Sequence, residues 1–387
     1  MKYKKLYWIL VLWICSMVNS FANNTFLEKN IPQIIEELNA EINKTKNYYN
    51  TLYIDLNYKI FNASKKLKKT SNIKKQIILI IKKGELNEQL KELKLREQSD
   101  ISKIRYLKGL QIIKILYEKT LSLDYHFATV STFNEINKIS NPNHYPEFSK
   151  LKEQLNINRD NKKGFNLTSI LGKNIYTSVI HSFIALFVNN NFSKREKEDS
   201  LKKIECILDF TLRMHNDLNT IYFETAFLQG NNNNIIKDIE RLFVNYTKPI
   251  EYETALKECR NNDDWDSIKD KLNVYIERLN ATIANSEKQF KAQKMIINLK
   301  FSIDRLLQFI AKYNMFIDQS AKFYEKFAIM LNSYENDKQC ASKIPLSYIK
   351  LKENIDISID KFNTAYKPIE INGSKMKEVL YGINEYD

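Results

Sequence analysis

The chain of 387 residues contains only seven glycines and six prolines, while lysine, asparagine, isoleucine, leucine, glutamate and tyrosine are abundant. So few turn formers exclude a sandwich or barrel of many short strands and favour long helices. The formal charge of +14 is not a global property: nine lysines between Lys59 and Lys83 and three in the first five residues supply twelve of those charges, leaving the remainder close to neutral.

The chain opens with Lys2, Lys4 and Lys5, followed by Leu6 to Val18 without a charge and then Ser20-Phe21-Ala22. A basic head, a short apolar stretch and small residues before a cut form a secretory signal peptide, assigned to residues 1–22. The expected location is therefore periplasmic, cell-envelope or secreted. Uncleaved, the stretch falls short of the ~20 apolar residues of a spanning helix and would act as a short anchor. About 365 residues follow, enough for one elongated domain or two compact ones.

Residues 23–139 read as an N-terminal helical arm. Ile35, Leu38, Ile42, Thr45, Tyr49, Leu52, Leu56 and Ile60 are spaced by alternating threes and fours, the heptad signature of a helix packed lengthwise against a partner. The pattern resumes at Ile73, Ile77 and Ile80, loosens at Gly84 and continues through Leu90, Leu93, Ile101 and Ile104. From Tyr106 the apolar positions spread around the helix, which implies cover on several sides.

Residues 140–262 read as a central helical region, beginning at the break Ser140 to Pro146, where Pro142 and Pro146 cannot donate into a helix interior. Ile175 to Val188 carries no charge and reads as a buried helix. Its second reading is a concealed membrane-inserting element through Ile180, Phe183, Ile184 and Phe187, although ~21 Å of helix is shorter than the hydrocarbon core. Ser193 to Glu196 forms a capping box for a helix extending to about Leu228, where Gly230 and Asn231 to Asn234 are expected to end it.

Residues 263–335 show threes and fours from Trp265 to Leu331, predicting one helix roughly 100 Å long. Its middle is polar at Ser286, Gln289, Gln293 and Lys300, so the packing there must be wet, imperfect or hinged. Asp263 and Asp264 are placed to cap it, and Trp265 reads as its first core residue. A short helix through Ile349, Ile355, Ile359, Phe362 and Tyr366 and a tail complete residues 336–387. The predicted fold is all-α: an elongated helical bundle in which two long, coiled-coil-like arms flank a compact apolar middle and lie side by side.

Catalytic signatures are absent from the sequence. No Glu-x-x-His or His-x-x-x-His pair supplies helical metal ligands, no serine stands in a Gly-x-Ser-x-Gly elbow and no glycine-rich loop cradles phosphate. Asp263, Asp264 and Asp266 lack the glycine and distal glutamate of an EF-hand. His126, His144 and His215 read as packed or hydrogen-bonded. Cys206, Cys259 and Cys340 are scattered, and an exported chain could oxidise two of them. Eight Asn-x-Ser/Thr triplets occur, Asn43, Asn62 and Asn280 among them, which matter only in a glycosylating host.

The remaining candidate is the lysine window, with Lys65, Lys66, Lys68, Lys69, Lys74, Lys75, Lys82 and Lys83 around the apolar run Ile77 to Ile81. It suits an anionic membrane surface, an acidic partner or an anionic polysaccharide. Phosphate neutralisation would also suit nucleic acid, but export argues against that partner. The expectation is an exported, non-enzymatic helical scaffold or interaction protein without cofactor or metal, which binds a protein partner or itself through its heptad helices. The alternative is a membrane-active protein, pore-forming in layout, using the lysines for surface contact and residues 175–188 for insertion.

Overall fold

The computed structural model describes residues 30–130, 193–335 and 346–366. Among these there are seven α-helices and no strand: α1 (Ile31–Lys69), α2 (Ile73–Val130), α3 (Lys194–Thr247), α4 (Leu256–Asn261), α5 (Trp265–Ile283), α6 (Gln289–Glu335) and α7 (Leu346–Ala365). The chain is an all-α bundle.

A reciprocal cap starts α1. The Asn30 side chain accepts from the Gln33 backbone N–H at 2.9 Å, while the Gln33 side chain accepts from the Asn30 N–H at 3.0 Å, satisfying two donors that a helix start leaves open. After the turn at 70–72 the chain doubles back, so the N-terminal arm is a helical hairpin. Tyr53 donates to Glu97 at 2.6 Å, Tyr49 to Asp100 at 2.7 Å, and Lys108 meets Glu37 and Glu41 at 2.8 and 2.9 Å, an antiparallel ladder. Of the α1 row read from the sequence, Ile35, Leu38, Ile42, Tyr49 and Leu56 are buried, and Thr45, Leu52 and Ile60 are half-buried.

The seam positions expected at the start of α2 do not hold. Ile73, Ile77 and Ile80 are exposed, and the less exposed row is Gln76, Leu79, Lys83, Leu86 and Leu90. The turn sets this register. Asn72 accepts from the Lys75 backbone N–H at 3.2 Å, and the Gln76 side chain donates to the Thr70 carbonyl at 2.6 Å, which turns Gln76 inward and Ile77 outward.

With 58 residues, α2 is about 87 Å long and forms the axis of the molecule, packing against α1, α3, α5, α6 and α7. Its buried residues change accordingly. Tyr106, Leu110, Ile112, Ile113, Leu116, Tyr117, Leu123 and Phe127 lie on several faces, as the spread of apolar positions after Tyr106 predicts. At the centre Tyr106 and Tyr246 each donate to the other's backbone carbonyl, at 2.6 and 2.8 Å, with ring centroids 4.5 Å apart. Ser302 of α6 adds a third bond to the Tyr246 carbonyl at 3.2 Å. Gly109 is required here, because a Cβ would run into the Tyr246 hydroxyl.

Two helix boundaries differ from the sequence reading. First, α3 continues through Gly230 and the asparagine run to Thr247. Asn232 is fully buried and its amide donates to the Thr120 carbonyl at 3.0 Å, a tertiary bond that outweighs poor local propensity. Second, the single 100 Å helix is two. Residues 284–288 break it, and the Tyr275 hydroxyl reaches the Met295 carbonyl at 2.9 Å, so α6 folds back along α5. Asn285 accepts from the Glu287 N–H at 3.0 Å and stabilises the turn that the polar stretch from Ser286 permits.

Asp264 occupies the N-cap position of α5, but its carboxylate accepts from the hydroxyls of Tyr252, at 2.9 Å, and Ser267 rather than from backbone amides. Trp265 is buried against Phe243 as the first core residue of α5, with the Lys114 ammonium 4.8 Å above its ring. The break at 140–146 and the segment 175–188, including Ile180, Phe183, Ile184 and Phe187, lie outside the described residues, as do residues 1–22.

Candidate interaction surface

The far end of the α1–α2 hairpin departs most from ordinary helical packing. Its internal support is a small cluster of Leu56, Ala63 and Leu86, flanked by Ile60, Leu90 and Leu93, all from α1 and α2 and separate from the main core. Around this thin seam the hairpin turns large apolar side chains outward. On α1 they are Ile54, Tyr58 and Phe61, spaced by four and three so that they share the face opposite the seam. On α2 they are Ile73, Ile77, Ile78, Ile80 and Ile81, with Ile73 72% and Ile78 63% exposed.

The lysines surround the same end. Lys65, Lys66, Lys68 and Lys69 close α1, Lys74 and Lys75 open α2, and Lys82 follows two turns later, all exposed; Lys83 alone is half-buried towards α1. Lys59 is tied to Asp55 one turn before it at 2.6 Å, a bridge on an open surface that adds little stability. No acid lies between Lys59 and Lys83, so beyond the Lys59–Asp55 bridge the turn brings two basic helix ends together.

Part of this arrangement opposes helix stability. Lys66, Lys68 and Lys69 sit favourably at the negative C-terminal end of α1. Lys74 and Lys75 sit at the positive N-terminal end of α2, whose first turn contains no acid, where cations are unfavourable.

Seven of the eight lysines expected to form a contact surface are thus brought together in the open. The outward row Ile54, Tyr58 and Phe61 was missed in sequence because the stronger seam Leu52, Leu56 and Ile60 runs beside it. Its own four-and-three spacing was the available signal. By spacing alone, Ile73, Ile77 and Ile80 read as seam.

Other titratable groups serve packing. His126 lies among Phe127, Tyr324, Phe362 and Tyr366 with ring centroids 5.5–5.9 Å away, and burial with nearby Lys361 lowers its pKa to about 4. Burial also lowers His215, whose Nε2 lies 2.8 Å from the Asn219 amide nitrogen. Cys259 is a fully buried free thiol, raised above its usual pKa by burial. A cavity of about 240 Å³ between α1, α2 and α6 is lined by Lys46, Lys94, Glu97, Ser102, Arg105 and Lys300, which fits the wet packing expected around Lys300. Its Lys46, Arg105 and Lys300 engage other groups of the chain, so the cavity belongs to the packing. Among the described residues no group of three His, Cys, Asp or Glu side chains is placed to hold a metal, and no helix is long and apolar enough to cross a membrane. Comparison with known protein families, curated proteins and solved structures finds no match to this chain.

Proposed function

We propose that this chain is an exported, non-enzymatic helical interaction protein of the cell envelope or secreted space, and that the far end of its α1–α2 hairpin is the surface it offers. One observation carries the reading: eight large apolar side chains, Ile54, Tyr58, Phe61, Ile73, Ile77, Ile78, Ile80 and Ile81, stand exposed among the lysines at that end. Single exposed apolar residues are ordinary, but a concentration on an element with its own small core marks a binding surface. The α1 seam is already covered by α2, so contact falls to the outward faces.

A photo-crosslinking amino acid placed at Ile77 or Phe61 in the producing cell tests this, with exposed Met315 on α6 as the control. Adducts at the hairpin positions and none at Met315 are expected. Equal labelling at all three would remove the hairpin as the contact surface.

A further inference from the structure

Resting on that reading, we propose that the partner of the hairpin end is the surface of an anionic lipid bilayer, met by the outward face of α2. On that helix the apolar side chains form one broad stripe. At about 100° per residue, Ile73, Ile77, Ile78, Ile80 and Ile81 span an arc of roughly 160° turned away from the seam row of Gln76, Leu79 and Lys83, and all are exposed. An apolar arc with lysines beside it is the layout of a helix lying in the plane of a bilayer interface.

The lysines fit the same geometry. Their charges attract anionic headgroups, and their long stems let the ammonium groups stay at headgroup level while the isoleucines reach the acyl boundary. An amphipathic helix of this kind lies in the interface plane without crossing it, and among the described residues no helix is long and apolar enough to span. Lys74 and Lys75, unfavourable where they stand in the free protein, gain their compensating negative charge from the lipid.

The test is flotation of the chain from Asn23, so that the apolar leader adds no lipid affinity of its own, with circular dichroism confirming the helix content of the full chain. The vesicles are phosphatidylcholine with and without phosphatidylglycerol. Binding to the anionic vesicles and little to the neutral ones is expected. Replacing Lys65, Lys66, Lys68, Lys69, Lys74 and Lys75 by glutamine should weaken binding about a thousandfold or more, since each lysine near the surface contributes roughly fivefold. Ile77→Ser with Ile78→Ser and Ile81→Ser should weaken it about tenfold or more while the helix content is unchanged. No flotation with anionic vesicles overturns the proposal. So does full affinity in the isoleucine variant, which would mean simple polyanion attraction and direct attention to an acidic protein or polysaccharide. If flotation fails while Ile77 still crosslinks to a protein in cells, only the lipid assignment falls. If neither occurs, the hairpin reading falls with it.

Discussion

Gly109, Tyr106 and Tyr246 show how individual residues hold this bundle. The absent Cβ of Gly109 lets α2 and α3 approach until each tyrosine reaches the other's carbonyl, and both rings are fully buried. Gly109→Ala is therefore expected to destabilise the protein by about 1–3 kcal/mol through overpacking. Gly84 and Gly230 lie inside helices with nothing near the position of a Cβ. Alanine at either is expected to stabilise by up to about 1 kcal/mol. Urea unfolding of the three variants checks the opposite signs. The histidine prediction concerns pH. Because the folded protein holds His126 at about 4 against an ordinary 6.5, His126 favours the native state fully above pH 6.5 and loses that contribution as pH falls towards 4. His126→Gln should flatten the fall in urea midpoint across that window relative to the wild type. Parallel profiles would show that the aromatic pocket does not exclude the charge. His126 was legible in sequence as a packed residue, but its pocket was not, because Tyr324, Phe362 and Tyr366 arrive from α6 and the end of the last helix.

At the scale of elements, sequence periodicity located the helices better than their partners. The α1 row was legible because α1 packs mainly against one antiparallel neighbour, α2, which buries Ile35, Leu38, Ile42, Tyr49 and Leu56. The α2 register was not, since a tertiary choice at Gln76 selects among rows of isoleucine that look alike by spacing. The same ambiguity hid the fold-back at 284–288: threes and fours continue across it although the helix does not, and only the polar run from Ser286 marked the place. The hairpin end rests on a small cluster around Leu56, Ala63 and Leu86 that is separate from the main core, so it should open without the rest. Hydrogen exchange is expected to be faster for amides of residues 56–90 than for those around Tyr106 and Tyr246; equal protection would mean one cooperative unit. Within this element the position of Lys74 and Lys75 gives a trade-off. Glutamate at either should stabilise α2 by about 0.3–1 kcal/mol through the helix dipole while weakening anionic-surface binding. A variant losing both stability and binding would assign those lysines a structural role.

For the whole molecule, the all-α class and the single basic segment were legible, whereas the central position of α2 was not. Nothing in the local pattern of α2 says that five helices surround it; the spread of apolar residues after Tyr106 says only that several do. The folded chain gives the charge a direction. Most of the net positive charge of residues 23–387 gathers at one end of a helix about 87 Å long, far from the core that surrounds Tyr106. Such a distribution orients the molecule before contact, so the lysines should act strongly on association rate. Raising ionic strength shortens the Debye length from ~10 Å at 0.1 M to ~3 Å at 1 M, below the spread of the cluster. Capture of the protein by immobilised phosphatidylglycerol vesicles should therefore slow by at least about tenfold over that range. Dissociation, governed more by the isoleucines of α2 that enter the bilayer, should change less. The serine variant of Ile77, Ile78 and Ile81 should show the reverse: a nearly normal on-rate and a faster off-rate. An unchanged dissociation rate in that variant would mean that the hairpin lies on the headgroups without entering them.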